Sequence, residues 1–142
     1  MSKSIKFKNN VYLDSSNIVY KRKSLKSILE QPSITLQFNT NFIYTTDLEY
    51  DCYKLGKMVF VNFHTIAFKA VPTATDWVIS NLPHPSNIII SYLIGCRDCQ
   101  GTTWRYKVET DGYILPHYTS APVVGNTQNK QYYGVLIYQA KE

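Results

Sequence analysis

The chain has 142 residues, the size of one ordinary domain that can bury a sizeable core without disulfide bonds. Aromatic residues make up 14% of the chain and charged residues only 18%, which favours an aromatic-rich β protein. No apolar run approaches the ~20 residues that span a bilayer, and the N-terminal MSKSIKFKNN lacks the apolar part of a signal peptide. We therefore expect no membrane insertion, and a protein that stays in a cytoplasm or leaves it by lysis.

The formal net charge of +5 lies in the first 30 residues, which contain seven basic and two acidic side chains. The other residues are balanced in charge. A nucleic-acid-binding protein usually carries its basic residues on the main folded face, so a basic arm on a neutral domain favours docking on an acidic protein surface and predicts no nucleic-acid partner. Two alternatives stay open, a solvated arm that only aids solubility and a nucleic-acid-binding module that uses the arm.

The basic arm, residues 1–31, is predicted to contain a hairpin and a short helix. Two short segments, residues 5–7 and 11–13, flank Asn9 and Asn10, which tolerate the positive φ of a tight turn. Ser24 is a suitable N-cap for a helix over residues 24–29. Elements this short cannot bury their own apolar residues, so we expect the helix to pack on the main domain or on another chain. The apolar helix face consists of Leu25, Ile28 and Leu29.

From residue 34 onward, β-branched and aromatic runs alternate with turn signals, and no helical period occurs between them. This pattern predicts an all-β domain over residues 32–142, an antiparallel β-sandwich or jelly-roll. The predicted strands are residues 34–38, 42–46, 52–55, 58–68, 77–80, 88–95, 102–110, 113–115 and 131–139.

The strand over residues 58–68 is the centre of this arrangement. Because side chains alternate across a strand, one face contains Val59, Val61, Phe63 and Thr65 and is predicted to belong to the core. The opposite face begins with Met58 and Phe60, which are also large and apolar. We therefore expect a second sheet to cover one side and a neighbouring subunit to contact Met58 and Phe60.

A second alternating strand places Trp104, Tyr106 and Val108 on one face and charged residues on the other. This pattern predicts that Trp104 is a core residue rather than an exposed stacking platform.

The cysteines do not predict a metal or redox site. Cys96 and Cys99 have the spacing of half a zinc site, but a structural zinc needs four ligands and no second pair exists. Cys52 and His117 could complete a set of four zinc ligands only if the fold happened to bring them next to Cys96 and Cys99, which their positions in the sequence do not indicate. The favoured interpretation is a turn with two reduced thiols, with no metal and no cofactor.

Catalytic patterns are also missing. His84 and His117 lie in proline-containing loops without a glycine-flanked nucleophile elbow. Asp47, Glu49 and Asp51 alternate as the solvated face of a strand does, so a carboxylate pair for glycoside cleavage is not favoured. We expect that the protein is not an enzyme.

Four short segments in a fixed order are similar to a known family. They are LGKMVFV at residues 55–61, WVISNLP at 77–83, DGYI at 111–114 and YYGVLIY at 132–138. Together they resemble the C-terminal β-domain of tail-fibre, baseplate and receptor-binding proteins of phages and prophages of Gram-positive and gut bacteria. Residues 7–29 also look like the leader of small phage structural proteins. The family continues after Leu-Pro with Gly and Arg-Pro, whereas His84, Pro85 and Ser86 follow here.

The resemblance implies a virion protein that is assembled in the bacterial cytoplasm and is commonly a homotrimer. Its β-domain would contact a host cell-surface glycan or cap a fibre, and the arm of residues 1–31 would contact other virion proteins. The alternative is a purely structural virion protein, such as a head or tail decoration, with protein contacts only.

Binding of a glycan requires exposed aromatic side chains and planar polar groups. The long irregular stretch after residue 116 and the turn after residue 95 contain such groups. An internal Arg97–Asp98 ion pair is the alternative role of the first two candidates. The candidate ligand-binding residues are Arg97, Asp98, His117, Tyr118, Asn126 and Gln128.

Overall fold

A computed structural model describes residues 19–20, 23–24, 32–118 and 120–142. The chain divides into two units, residues 1–31 and 32–142. In the first unit, β1 (Val19–Tyr20) pairs antiparallel with β2 (Lys23–Ser24). The predicted hairpin over residues 5–13 and the predicted interface residues Leu25, Ile28 and Leu29 lie outside the described residues. Ser24, the predicted helix cap, belongs to β2.

The second unit is all-β. Its described residues contain no helix, and hence none that could cross a membrane. Eight antiparallel strands form one sheet with the spatial order β3-β6-β9-β8-β7-β10-β5-β4. The strands are β3 (Gln37–Phe38), β4 (Glu49–Leu55), β5 (Met58–Ala67), β6 (Ile79–Ser80), β7 (Ile89–Arg97), β8 (Thr103–Val108), β9 (Ile114–Pro116) and β10 (Lys130–Gln139).

The sheet is curled like half a barrel, and the segment that leads into β3 contacts both of its edges. The Ile34 amide donates to the Cys52 carbonyl of β4 (2.6 Å), and the Leu36 amide donates to Tyr50 Oη (3.0 Å). β3 itself pairs with β6 at the other edge. The all-β prediction is confirmed. The expected pair of stacked sheets is not confirmed, because a single curled sheet covers its own inner face.

Eight of the nine predicted strand segments contain a strand, and the segment over residues 42–46 is the exception. The Asn39 carbonyl accepts hydrogen bonds from the amides of Phe42 and Ile43, and Asn39 Oδ1 accepts one from the Asn41 amide. A side chain that bonds two residues along the chain favours a turn. Ile43 therefore forms only an isolated bridge, to Phe68.

The predicted core face of β5 is confirmed for Val59, Val61 and Phe63, which are fully buried. It is wrong for Thr65, which is half-buried. A β-bulge explains the difference, since Tyr132 of β10 pairs with Ile66 but Gly134 pairs with Phe63. The extra residue in β5 reverses the alternation, so Ile66 is buried instead.

The centre of the core is aromatic. Trp104, Tyr106 and Val108 of β8 are fully buried, as predicted. The Trp104 ring centroid lies 4.7 Å from that of Phe68 and 5.4 Å from that of Tyr106.

The buried ionisable side chains predict a loss of stability in alkali. Burial raises the pKa of Cys52 to about 11 and that of Tyr106 to about 12, while both ionise at lower pH in the unfolded chain. The unfolded state therefore loses these protons first, and stability falls as pH rises above about 9, by up to about 1.4 kcal/mol per pH unit for each group. Urea denaturation at pH 8, 10 and 11 measures this loss. Tyr106→Phe should reduce the slope above pH 10, and equal stability at all three pH values would contradict the prediction.

Candidate functional site

Four of the six predicted ligand-binding residues lie together, where the β7–β8 turn contacts the loop before β10. Arg97 Nη1 donates to the Gln128 carbonyl (2.6 Å), and the Asp98 amide donates to the Asn129 carbonyl (2.9 Å). The Asn126 side chain accepts a hydrogen bond from the Gln128 amide (2.8 Å). We call this group, Arg97, Asp98, Asn126 and Gln128, the loop cluster.

The hydrogen bonds of the loop cluster fasten one loop to another. The Arg97 guanidinium donates to a backbone carbonyl, and the Asn126 side-chain oxygen accepts from a backbone amide. These hydrogen bonds leave fewer polar groups of the two side chains available to bind a ligand. Arg97 also has a φ of 55°, a conformation that a non-glycine residue rarely adopts. Among the described residues, no ion pair forms between Arg97 and Asp98. All four side chains are exposed, so the cluster remains a surface feature.

The other two predicted residues, His117 and Tyr118, lie beside β8. The His117 amide donates to the Arg105 carbonyl (3.0 Å), and its carbonyl accepts from the Ser120 amide. The two rings meet edge to face, with centroids 5.1 Å apart. Tyr118 is 82% exposed and has a φ of 28°, so the loop holds its ring out from the surface.

The thiols of the β7–β8 turn bind backbone carbonyls. Cys96 Sγ donates to the Gln131 carbonyl (3.0 Å), and Cys99 Sγ donates to the Cys96 carbonyl (3.1 Å). Cys52 is buried in β4. Within the part of the chain that the structure describes, no three His, Cys, Asp or Glu side chains are close enough to hold a metal ion. These contacts give the two thiols of the turn a structural role.

A broad apolar surface lies on the outer side of the curled sheet. Alternate residues of four neighbouring strands point outward there, and most of them are about 40–60% exposed. The Tyr53 and Phe60 rings stack on this side, with centroids 5.2 Å apart. We call this surface the outer apolar face. Its side chains are Tyr53, Met58, Phe60, Ile90, Tyr92, Ile94, Tyr133, Val135 and Ile137.

The outer apolar face contains both residues of β5 that were predicted to contact a neighbouring subunit, Met58 and Phe60. Sequence reasoning missed its extent on β7 and β10. The signal was present, since large apolar or aromatic side chains occur at both alternating positions within residues 88–94 and 132–138, as they do within residues 58–61.

Charged residues of opposite sign lie on the strands that flank the outer apolar face. Arg105 and Lys107 belong to β8 on one side, and Glu49 and Asp51 belong to β4 on the other. Asp51 also contacts His64 Nε2 of β5 (2.6 Å). On the β8 side, an open depression of about 610 Å³ is lined by Ile90, Tyr92, Arg105 and their neighbours.

Comparison of the chain with protein-family models, with curated proteins and with solved structures finds no match.

Proposed function

We propose that this chain is a non-enzymatic structural protein of a phage virion, part of a tail fibre, baseplate or similar appendage, that acts through protein–protein contacts. The outer apolar face is the observation that supports protein contacts most strongly. Soluble monomers rarely expose contiguous apolar patches of more than a few hundred Å², and larger ones are typical of interaction sites. The loop cluster supports the same proposal, since its polar groups fasten loops rather than surround an open pocket.

The assignment to a virion rests on the resemblance of the four sequence segments. Two of these segments are in contact, because the Leu82 amide donates to the Gly112 carbonyl (3.3 Å) and Gly112 packs against Leu82 and His84. The contact supports the idea that the segments belong to one structural unit. In this proposal, residues 1–31 anchor the chain to other virion proteins, and the β-domain forms a homo-oligomer, a trimer by the resemblance.

The proposal is tested on particles. Prophage induction in the strain that encodes the chain, followed by density-gradient purification and quantitative mass spectrometry, should detect the chain at several copies per particle. A capsid protein provides the positive control, and an abundant cytoplasmic protein of the host measures contamination. Co-purification at no more than the level of that cytoplasmic protein would contradict the virion assignment.

Attachment to a host-surface glycan is the second candidate function, and the exposed Tyr118 ring favours it. Aromatic rings that stand out from a surface suit the apolar face of a sugar. We expect labelled full-length protein to bind host cells or extracted cell-wall glycans saturably, and Tyr118→Ala to weaken that binding at least about tenfold, as loss of an aromatic anchor does. Tyr113→Ala is the matched control, since Tyr113 is 39% exposed and packs against Trp77. Equal binding by both variants and the wild type would exclude Tyr118 as the contact.

A further inference from the structure

We infer that the outer apolar face is the docking surface for a second copy of this chain, with the β8 flank of one copy against the β4 flank of the next. The inference rests on the proposed function as a protein that contacts copies of itself, and it identifies the surface and the orientation of that contact. It follows from three properties of the face: its size, its charged flanks and the register of its strands.

The size of the face suits a stable interface. Eight of its side chains are each between 38% and 60% exposed. Together they expose on the order of several hundred Å², which approaches the roughly 800 Å² that each partner buries in a standard interface. Tyr53, Tyr92 and Tyr133 are of the type that most often contributes strongly to binding.

The charges that flank the face make it complementary to itself. β8 contributes the basic Arg105, beside Lys107, whose ammonium forms an ion pair with Glu109 (2.6 Å), and β4 contributes the acidic Glu49 and Asp51, with the apolar strands β7, β10 and β5 between them. A partner that fits this face therefore needs an apolar centre, an acidic side and a basic side. A second copy of the face has this same pattern.

The register of the strands places one basic and one acidic residue in the same row across the sheet, perpendicular to the strands. Arg105 pairs with Tyr92, and Asp51 pairs with Asn62, which in turn pairs with Val135. Tyr133 pairs with Ile94, so the same register continued by two residues places Val135 beside Tyr92. Gly134 packs against Leu93 and the Tyr92 carbonyl, as that continuation requires. One row thus runs from Arg105 on β8 to Asp51 on β4, with Val135 of β10 in the middle.

This row selects the orientation of the second copy. A two-fold rotation about an axis that runs along β10 exchanges the two flanks and keeps each residue at its level along the strands, so Arg105 of one copy meets Asp51 of the other. This arrangement is a dimer, and it differs from the trimer that the resemblance implies. Rotation about an axis across the strands would instead place Arg105 opposite Arg105 and Asp51 opposite Asp51, which is repulsive.

Charge reversal on the full-length protein tests this arrangement. We expect Arg105→Glu and Asp51→Arg each to weaken self-association at least about tenfold, and the double variant to recover most of it, because reversing both partners restores the attraction. Sedimentation velocity over a concentration series measures the association. Lys69→Glu is the control, since Lys69 is exposed on the segment after β5, away from the face. Circular dichroism verifies that every variant is folded.

The outcomes separate this inference from the proposed function. A wild-type oligomer that each single reversal dissociates, and that the double reversal restores, supports the inference. A wild-type monomer at tens of micromolar, or an oligomer that neither reversal affects, overturns it. If the chain is then still found in purified particles, the virion assignment stands and the face docks on a different particle protein.

Discussion

Replacing Trp104 with alanine is expected to lower the free energy of unfolding by about 3–5 kcal/mol, the usual cost of truncating a large buried aromatic side chain. The indole of Trp104 is fully buried in the centre of the curled sheet. It packs against the rings of Phe68 and Tyr106, with centroids 4.7 and 5.4 Å away. The variant loses these contacts and retains a cavity, because strands paired on both sides cannot close over the gap. Urea denaturation followed by circular dichroism measures the loss.

Trp77→Ala is the matched control for this prediction. Trp77 is 37% exposed and contacts Tyr113 edge to face, so the same truncation removes much less buried surface. We expect a loss of about 1–2 kcal/mol there, since surface-exposed positions lose less apolar burial. Similar losses for the two variants would show that Trp104 is not the centre of the core.

Replacing Gly112 with alanine is expected to lower the free energy of unfolding by about 2–5 kcal/mol, through backbone strain and a steric clash together. Gly112 has a φ of +84°, and an added Cβ would lie 2.3 Å from the Leu82 carbonyl oxygen and 3.1 Å from the His84 ring. The carbonyl belongs to the backbone and cannot move without breaking the packing of the Leu82 segment. This substitution therefore tests the contact between two of the segments that resemble the phage family.

Gly101→Ala separates the clash from the strain. Gly101 has nearly the same φ, +82°, but no atom lies within 4 Å of the position of an added Cβ. Gly101→Ala should therefore lower the free energy of unfolding by only about 1–2 kcal/mol, the strain of an alanine in the left-handed region of φ. A cost for Gly112→Ala no larger than that for Gly101→Ala, in the same denaturation experiment, would contradict the close approach of Gly112 to Leu82.

Most of the strands could be predicted from the sequence because alternation and β-branched residues are local signals. The exceptions have local or long-range causes. Asn39 forms a side-chain turn that ends the strand pattern before residue 42, and the bulge at Thr65 arises from the pairing with β10, which no window of β5 shows. The sequence pattern does not distinguish two stacked sheets from one curled sheet. The difference depends on the backbone hydrogen bond from Ile34 to Cys52, which links the two edges of the sheet between residues 18 positions apart in the chain.

The candidate site shows the same division between local and long-range information. The loop residues could be selected by type, but their grouping could not, because the contact of Arg97 with Gln128 depends on the pairing of β7 with β10. Met58 and Phe60 indicated an exposed apolar surface from a single strand. Its continuation to Tyr92 and Val135 required the strand order.

Sedimentation velocity of the full-length wild-type protein tests the central claim most directly, because the outer apolar face supports both the proposed function and its further inference. We expect a closed oligomer at micromolar concentration, with a sedimentation coefficient that falls when Arg105→Glu is introduced. A stable monomer at tens of micromolar would show that the outer apolar face does not bind a second copy of the chain.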